Sequence, residues 1–314
     1  MNLNFEPSIY SLCSYSYVIS RNFSPRGWLL RLRYVRAGVK HRKTVGPLLA
    51  SEAAGAFRDQ VKKNPDLMGF FLWPFLNASW QVENRFDHLV RHYDVLGRRF
   101  PWLRLGYKQA LSVLNVSDMH PGLQFVLEDA PWFLREGCIN FSMMCEGERL
   151  MSVSFALAEC DGELQALVGS IQGSALPTAL ETYKSIAESM QDTRPRDLHF
   201  KVFRLMLQCM GIGQVLCVAD ECRAHTDPFF GSGKEDRIKL RYDELWADQG
   251  GVLNDEGFYA MPAAMKDRPI SDVPTKKRGR YKRRLEMFTL IRQRLEQSVA
   301  IAGGVKSVFA CKPV

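Results

Sequence analysis

Asp220 and His225 are the two side chains whose types and spacing best suit proton transfer. They follow the apolar run 214–219, which is typical of a short buried strand, and loops at the carboxyl ends of such strands are common active-site positions. A histidine with an ordinary pKa near ~6.5 suits a general base for an amine or hydroxyl nucleophile, and the aspartate would orient it. The alternative is a capping aspartate beside a surface histidine.

A second group of candidates lies where a predicted strand ends, at a glycine that would allow a ligand to approach the backbone closely. The alternative is a plain turn that ends the strand. The four residues are Ile171, Gln172, Gly173 and Ser174.

Seven cations fall within nine residues near the carboxyl end and begin an amphipathic helix. Because this end of a helix disfavours cations, their concentration there favours an anionic partner such as phosphate, an acidic carrier protein, a lipid surface or nucleic acid. Nucleic acid fits less well, since Tyr281 is the only aromatic residue in the run. The alternative is a solvated helix whose charges pair with acidic residues. The cations are Lys276, Lys277, Arg278, Arg280, Lys282, Arg283 and Arg284.

The hydrophobic pattern predicts a helical first third followed by a mixed α/β region. Helices are predicted at 51–63, with Ser51 as the cap, and at 197–210, with Asp197 as the cap. A β-hairpin with an Asp-Gly turn is predicted from strands at 150–158 and 164–171. Further helices are predicted at 83–96, 179–190 and 241–247, and further strands at 214–219 and 257–261.

The predicted fold class is therefore α+β. We expect a mainly helical, basic region at 1–120, a mixed sheet with flanking helices at 121–275, a basic amphipathic helix at 276–304 and a flexible tail at 305–314.

Composition restricts the class of protein further. The 314 residues are 46% hydrophobic and 24% charged, with a net charge of +8, which is typical of a globular protein with acidic partners. No apolar run approaches the ~20 residues of a membrane span, and the richest one, at 68–76, is predicted to be core or a groove wall. The eight cysteines are scattered and no export signal is evident, so we expect reduced thiols and a cytoplasmic location.

Three motif matches are incomplete. Cys217, Cys222 and His225 form at most half of a zinc site. Residues 231–235 lack the first glycine and the final Ser or Thr of a phosphate-binding loop, and residues 211–213 lack the third glycine of a dinucleotide fingerprint. We therefore expect no metal and neither an ATPase nor an NAD-dependent enzyme.

A set of short motifs, in order from about residue 77 to 284, resembles the VirK/YbjX family of bacterial proteins. Each motif is weak alone, whereas the ordered set is specific. The chain departs from the family at Gln191-Asp192-Thr193, where the family has His-Gly-Leu, so a role of that imidazole is not carried over. The motifs are Arg85-Phe86, His92-Tyr93, Arg135-Glu136-Gly137, Gly169-Ser170-Ile171-Gln172-Gly173, Arg194-Pro195, Val218-Ala219-Asp220, His225, Tyr242, Leu245-Trp246, Gly250-Gly251, Lys276-Lys277-Arg278 and Arg283-Arg284.

The resemblance implies a cytoplasmic protein of envelope-stress, antimicrobial-peptide-resistance or virulence physiology. The carboxy-terminal half is also similar to GNAT-type acyltransferases, which implies an acyl-CoA or acyl-carrier thioester held by the amides of residues 171–174. In that interpretation His225 or Asp220 deprotonates the acceptor, and the cations near Arg280 bind the donor phosphate or an acidic carrier. The rival is a non-catalytic factor that binds a protein or an anionic membrane surface through residues 26–36 and 276–284. Nucleic-acid binding is third.

Overall fold

A computed structural model describes residues 8–106, 109–129, 133–231 and 240–304. The predicted tail at 305–314 lies outside the described residues. The helices are α1 (Ile9–Ile19), α2 (Pro25–Ala50), α3 (Gly55–Lys63), α4 (Val82–Arg99), α5 (Ala179–Ser189), α6 (Pro195–Cys209), α7 (Tyr242–Asp248) and α8 (Thr275–Gly304). The strands are β1 (Ala110–Asn115), β2 (Gln124–Glu128), β3 (Ile139–Cys145), β4 (Glu148–Cys160), β5 (Glu163–Gly173), β6 (Gln214–Val218), β7 (Val252–Leu253) and β8 (Phe258–Pro262).

The strands form one mixed sheet of eight strands in the order β1-β2-β3-β4-β5-β6-β8-β7. Neighbouring strands from β1 to β5 are antiparallel, whereas β5 and β6 are parallel and are connected through α5 and α6. This arrangement confirms the predicted α+β class with a helical amino-terminal region, a mixed sheet and a carboxy-terminal helix. The edge strand β1 comes from the part of the chain that was expected to be mainly helical.

Helices cover the sheet through apolar faces. Both α4 and α6 pack against β4, and the rings of Phe155 and Phe203 meet edge to face at 5.1 Å between centroids. The apolar run at 68–76 is core, as predicted, since Phe70 is 1% exposed and Leu76 is 0% exposed. The fold therefore has an extensive buried core beneath the helices.

Two predicted helix starts need correction. Ser51 both ends α2 and precedes a 3₁₀ turn at Glu52–Ala54 that leads directly into α3, but its side chain makes no N-capping hydrogen bond. Helix α6 begins at Pro195 rather than after Asp197, because proline suits the first helical position, where its missing N–H has no partner to lose.

The two elements that carry most of the candidate residues are confirmed. The hairpin extends over β4 and β5 and includes the predicted Asp-Gly turn. The basic amphipathic helix is α8, which buries Phe288, Ile291 and Leu295 while it packs against α6. The cations at the start of α8 are left at the surface or at its edge.

Candidate functional site

Strand β5 extends beyond its parallel neighbour. Its pairing with β6 runs only from Gln165 to Val168, whereas β5 continues to Gly173. Strand β6 ends at Val218, one residue after its last pair with β5. The hydroxyl of the buried Tyr242 takes the place of a strand partner by accepting the N–H of Ile171 at 2.8 Å and donating to the C=O of Ile171 at 3.1 Å. The backbone groups of Ile171 are therefore already hydrogen-bonded.

A second of the four predicted ligand-facing amides is also occupied. Ser174 donates its N–H to the C=O of Leu150 at 2.7 Å and to the hydroxyl of Tyr183 at 3.2 Å. On this side β4 pairs with β5 as far as Met151 and Gly173. The expectation of free amides at Ile171 and Ser174 therefore needs correction, because tyrosine hydroxyls and the β4 backbone already satisfy them.

Glu136 joins this strand end from a distant part of the sequence. Its carboxylate accepts a hydrogen bond of 2.6 Å from the side-chain amide of Gln172, which is exposed. Desolvation raises the pKa of Glu136, against the opposing effects of the Gln172 amide and the positive charge of Arg223. Gly169 makes this approach possible, since a Cβ there would lie 2.1 Å from the carbonyl oxygen of Glu136. In the sequence, Glu136 was singled out only as part of the motif Arg135-Glu136-Gly137.

Asp220 organises the start of α7. Its carboxylate accepts the backbone N–H groups of Tyr242 at 2.9 Å and Asp243 at 3.3 Å, and it contacts the Arg223 guanidinium at 3.3 Å. The same guanidinium lies 3.7 Å from the centre of the Tyr242 ring. The capping alternative therefore describes Asp220, which holds Tyr242 in place. His225 lies half-buried in the next 3₁₀ turn, and its role as a general base stays a prediction.

Five of the seven predicted anion-binding cations line a separate cleft. It has a volume of about 910 Å³ and lies between the start of α8 and the loop that joins α5 to α6. Among the described residues, the lining includes six cations and one carboxylate, that of Asp192. The cationic lining residues are Arg268, Lys276, Lys277, Arg280, Arg283 and Arg284.

Three of the seven predicted cations are oriented by neutral groups. Arg278 donates to the C=O of Val273, and Arg284 donates to the C=O of Gln191 at 2.7 and 3.1 Å. Arg283 donates to the side-chain oxygen of Gln191 at 3.2 Å. These contacts fix the guanidinium groups without neutralising their charge.

Charge pairing within the cleft is sparse. Arg280 forms an ion pair with Asp192. Lys276, Lys277 and Lys282 are exposed and make no ion pair within the described parts of the chain. The alternative of a helix whose charges pair within the fold therefore accounts for one of the seven cations.

The cleft wall opposite α8 has an unusual backbone. Gln191 and Asp192 both adopt positive φ angles, 57° and 53°, a conformation that side-chain-bearing residues rarely occupy. Glycine would adopt such a backbone without strain. Here the contacts from α8 hold the loop, so its shape and the position of Asp192 depend on the basic residues.

The chain belongs to the family described as "Protein of unknown function (DUF535)", which it matches over residues 26–297. It is similar to the "Uncharacterized protein YbjX" of Escherichia coli (strain K12), with 26% identity over 236 residues, 71% of this chain and 68% of that protein. It is also similar to two proteins of Haemophilus influenzae, each printed as "Uncharacterized protein", with 23% identity over 146 and 135 residues. These matches span 45% and 44% of the Haemophilus chains.

No solved structure matches the chain. The likeness to GNAT-type acyltransferases therefore stays a prediction. Across the described ranges, no helix combines the length and apolarity needed to cross a bilayer, and no group of three or more candidate metal-binding side chains occurs.

Proposed function

We propose that this protein binds a phosphate-bearing ligand in the basic cleft at the start of α8. The observation that supports the proposal is the lining of the cleft, six cations against the single carboxylate of Asp192. Like charges gathered around one cavity repel each other, and a bound anion relieves that repulsion. The cleft volume of about 910 Å³ has room for a ligand larger than inorganic phosphate.

The two kinds of cation suit different parts of such a ligand. Arg283 and Arg284 are already oriented by carbonyl oxygens, and guanidinium groups bind phosphate oxygens in a bidentate manner. Lys276 and Lys277 are exposed, and an ammonium group on a flexible stem contributes as a point charge. Asp192 forms an ion pair with Arg280, and an entering phosphate would compete with that carboxylate.

Thermal denaturation with added ligands tests the proposal. Pyrophosphate and coenzyme A are compared with sodium chloride at equal ionic strength, since a ligand present at a hundred times its Kd stabilises by about 2.7 kcal/mol. We expect the phosphate compounds to raise Tm and chloride to leave it unchanged. An equal Tm in all three solutions would contradict binding in the cleft.

The cellular setting is part of the same proposal. The resemblance to the VirK/YbjX family supports a role in envelope-stress, antimicrobial-peptide-resistance or virulence physiology. Deleting the gene and rescuing it with a cleft variant would test this role. We expect the cleft variant, present at normal abundance, to fail to restore the phenotype. If it restores the phenotype as well as the wild type does, the cleft is not required for the cellular role.

Acyl transfer is a second proposal, supported by the extension of β5 beyond the end of β6 after Val168. A thioester donor that used the N–H of Ile171 would have to displace the Tyr242 hydroxyl. Tyr242→Phe removes that hydroxyl, so an acyl-CoA should raise the Tm of this variant more than that of the wild type. If acyl-CoA stabilises neither protein beyond the effect of coenzyme A alone, the acyltransferase proposal fails while the anion site stands.

A further inference from the structure

The end of α1, the start of α2 and the connection between them carry a concentration of exposed apolar side chains. We call the surface formed by five of them the hairpin tip. Their exposed fractions range from 46% for Tyr17 to 71% for Phe23, and large contiguous apolar patches are uncommon on the surface of soluble domains. The hairpin tip consists of Tyr17, Phe23, Trp28, Leu29 and Leu32.

The charged residues in the segment that carries the hairpin tip are all cationic. Residues 7–51 contain eight Lys and Arg residues and no Asp or Glu, so this segment alone carries as much charge as the net +8 of the whole chain. Arg26, Arg33, Arg36 and Lys40 are exposed, and they make no ion pair within the described ranges. An apolar surface beside unpaired cations is complementary to a surface that is both apolar and anionic.

Helical spacing places the two kinds of side chain side by side. At about 100° per residue, Trp28, Leu32 and Val39 lie within about 40° of one another around the axis of α2. Arg36, Lys40 and Arg33 follow over about the next 100° on the same side. Each of these six side chains is exposed. This side of α2 is therefore an apolar stripe bordered by cations, the pattern of helices that lie in a membrane interface.

A buried arginine holds the hairpin tip in shape. Arg31 is 3% exposed, and its guanidinium lies 4.2, 4.6 and 4.8 Å from the ring centres of Tyr17, Phe23 and Trp28. It donates to the C=O of Ser20 at 2.8 and 2.9 Å, while its Nη1 has no hydrogen-bond partner. The three aromatic rings are thus fixed around a buried positive charge that forms no ion pair with any carboxylate of the described residues, which lowers the entropic cost of docking them.

We propose that the hairpin tip docks on an anionic phospholipid surface. Phe23, Trp28 and Leu32 would enter the boundary between headgroups and acyl chains, and the arginines would contact lipid phosphates. Lipid fits better than single-stranded nucleic acid, because Leu29 and Leu32 have no aromatic face for stacking on bases, whereas acyl chains accept any apolar side chain. This inference is independent of the proposed cleft function, since it uses none of the cleft residues.

Vesicle sedimentation of the full chain tests the inference. The probes are vesicles of phosphatidylglycerol mixed with phosphatidylcholine and vesicles of phosphatidylcholine alone. We expect binding to the anionic vesicles that falls as salt rises, and at least tenfold weaker binding for Phe23→Ser/Trp28→Ser/Leu32→Ser. The matched control Leu180→Ser/Ile301→Ser removes two exposed apolar residues elsewhere and should bind as the wild type does.

Two further variants separate the contributing surfaces. Arg33→Gln/Arg36→Gln should lose the preference for anionic vesicles. Lys63→Gln/Lys184→Gln removes two exposed charges outside the tip and the cleft, and it should bind the vesicles as the wild type does. Circular dichroism of each variant checks that it is folded.

The inference is overturned if wild-type protein stays in the supernatant, or if the tip variant binds as tightly as its control. It is also overturned if the tip residues are needed only for binding a single-stranded oligonucleotide. Loss of a dimer from the tip variant in light scattering, without vesicle binding by the wild type, would identify the tip as a contact between two copies and would equally overturn it.

Discussion

The hydroxyl of Tyr242 bonds both backbone groups of Ile171, accepting the N–H at 2.8 Å and donating to the C=O at 3.1 Å. Strand β6 has already ended at Val218, so a side chain from α7 does what a neighbouring strand would otherwise do. The backbone groups of Ile171, which were expected from the sequence to be free for a ligand, are therefore already hydrogen-bonded.

Tyr242→Phe should lower the free energy of unfolding by about 1–3 kcal/mol, because it leaves two buried backbone groups without partners. Urea denaturation followed by circular dichroism measures this loss. Tyr10→Phe is the matched control, since Tyr10 is 80% exposed, and it should change stability by less than about 0.5 kcal/mol. Equal midpoints for the two variants would show that the hydroxyl is not needed.

Asp220 is predicted to act on stability as a helix cap. Asp220→Ala should cost about 0.5–2 kcal/mol, since it removes the acceptor for the first amides of α7, whereas Asp220→Asn keeps an oxygen there and should cost less. The same urea experiment compares the two variants. If asparagine is as damaging as alanine, the negative charge beside Arg223 matters more than the cap.

Acid should destabilise the protein through its buried histidines. Nδ1 of His92 accepts the N–H of Leu157 at 3.0 Å, and burial lowers the pKa of His92 from 6.5 to about 3. The unfolded chain therefore binds a proton below pH 6.5 that the folded chain refuses until about pH 3. His92 leaves the free energy of unfolding unchanged above pH 6.5. As the pH falls below 6.5, this histidine lowers the free energy of unfolding by about 1.4 kcal/mol per pH unit.

The variant His92→Asn keeps an acceptor near the position of Nδ1 but does not titrate. Free energies of unfolding measured from pH 7 down to pH 4 should decline less steeply for it than for the wild type. His199, whose pKa burial also lowers to about 3, continues to contribute in both proteins. Parallel curves would mean that His92 is protonated in the folded state or already neutral in the unfolded one.

Local patterns predicted the elements whose apolar residues follow one period. Helix α4 and the β4–β5 hairpin are of this kind, and their positions agree with the expected ones within a few residues. Strand β3 was not predicted, because Asn140 and Ser142 interrupt its apolar residues. Both are buried, and Ser142 is held by hydrogen bonds to Glu128 at 2.5 Å and to Ser152 at 2.7 Å.

Helix α2 was also not predicted. Its buried face includes Arg31 and Gly38, a charged residue and a helix breaker that no amphipathic pattern would place inside. A Cβ on Gly38 would lie 2.3 Å from the side chain of Leu12, so close packing of α1 explains that glycine.

The candidate sites depended on contacts between distant residues. The basic run on α8 was found from its composition. The shape of the loop opposite it was not predicted, because neither glutamine nor aspartate at positions 191 and 192 indicates a left-handed backbone. Likewise, the hydroxyl that occupies the backbone of Ile171 comes from a residue 71 positions away. Residue types therefore located the candidates, and only the fold showed which backbone groups were already bonded.

Binding of pyrophosphate measured by isothermal titration calorimetry tests the central claim most directly. We predict saturable binding to the wild type and a Kd at least about tenfold higher for Lys276→Gln/Lys277→Gln, because each lysine provides a charge-assisted contact to phosphate. The control Lys40→Gln/Lys43→Gln removes the same charge from the exposed side of α2 and should bind as the wild type does. No saturable heat from the wild type, or equal weakening in both double variants, would contradict a phosphate site in the cleft.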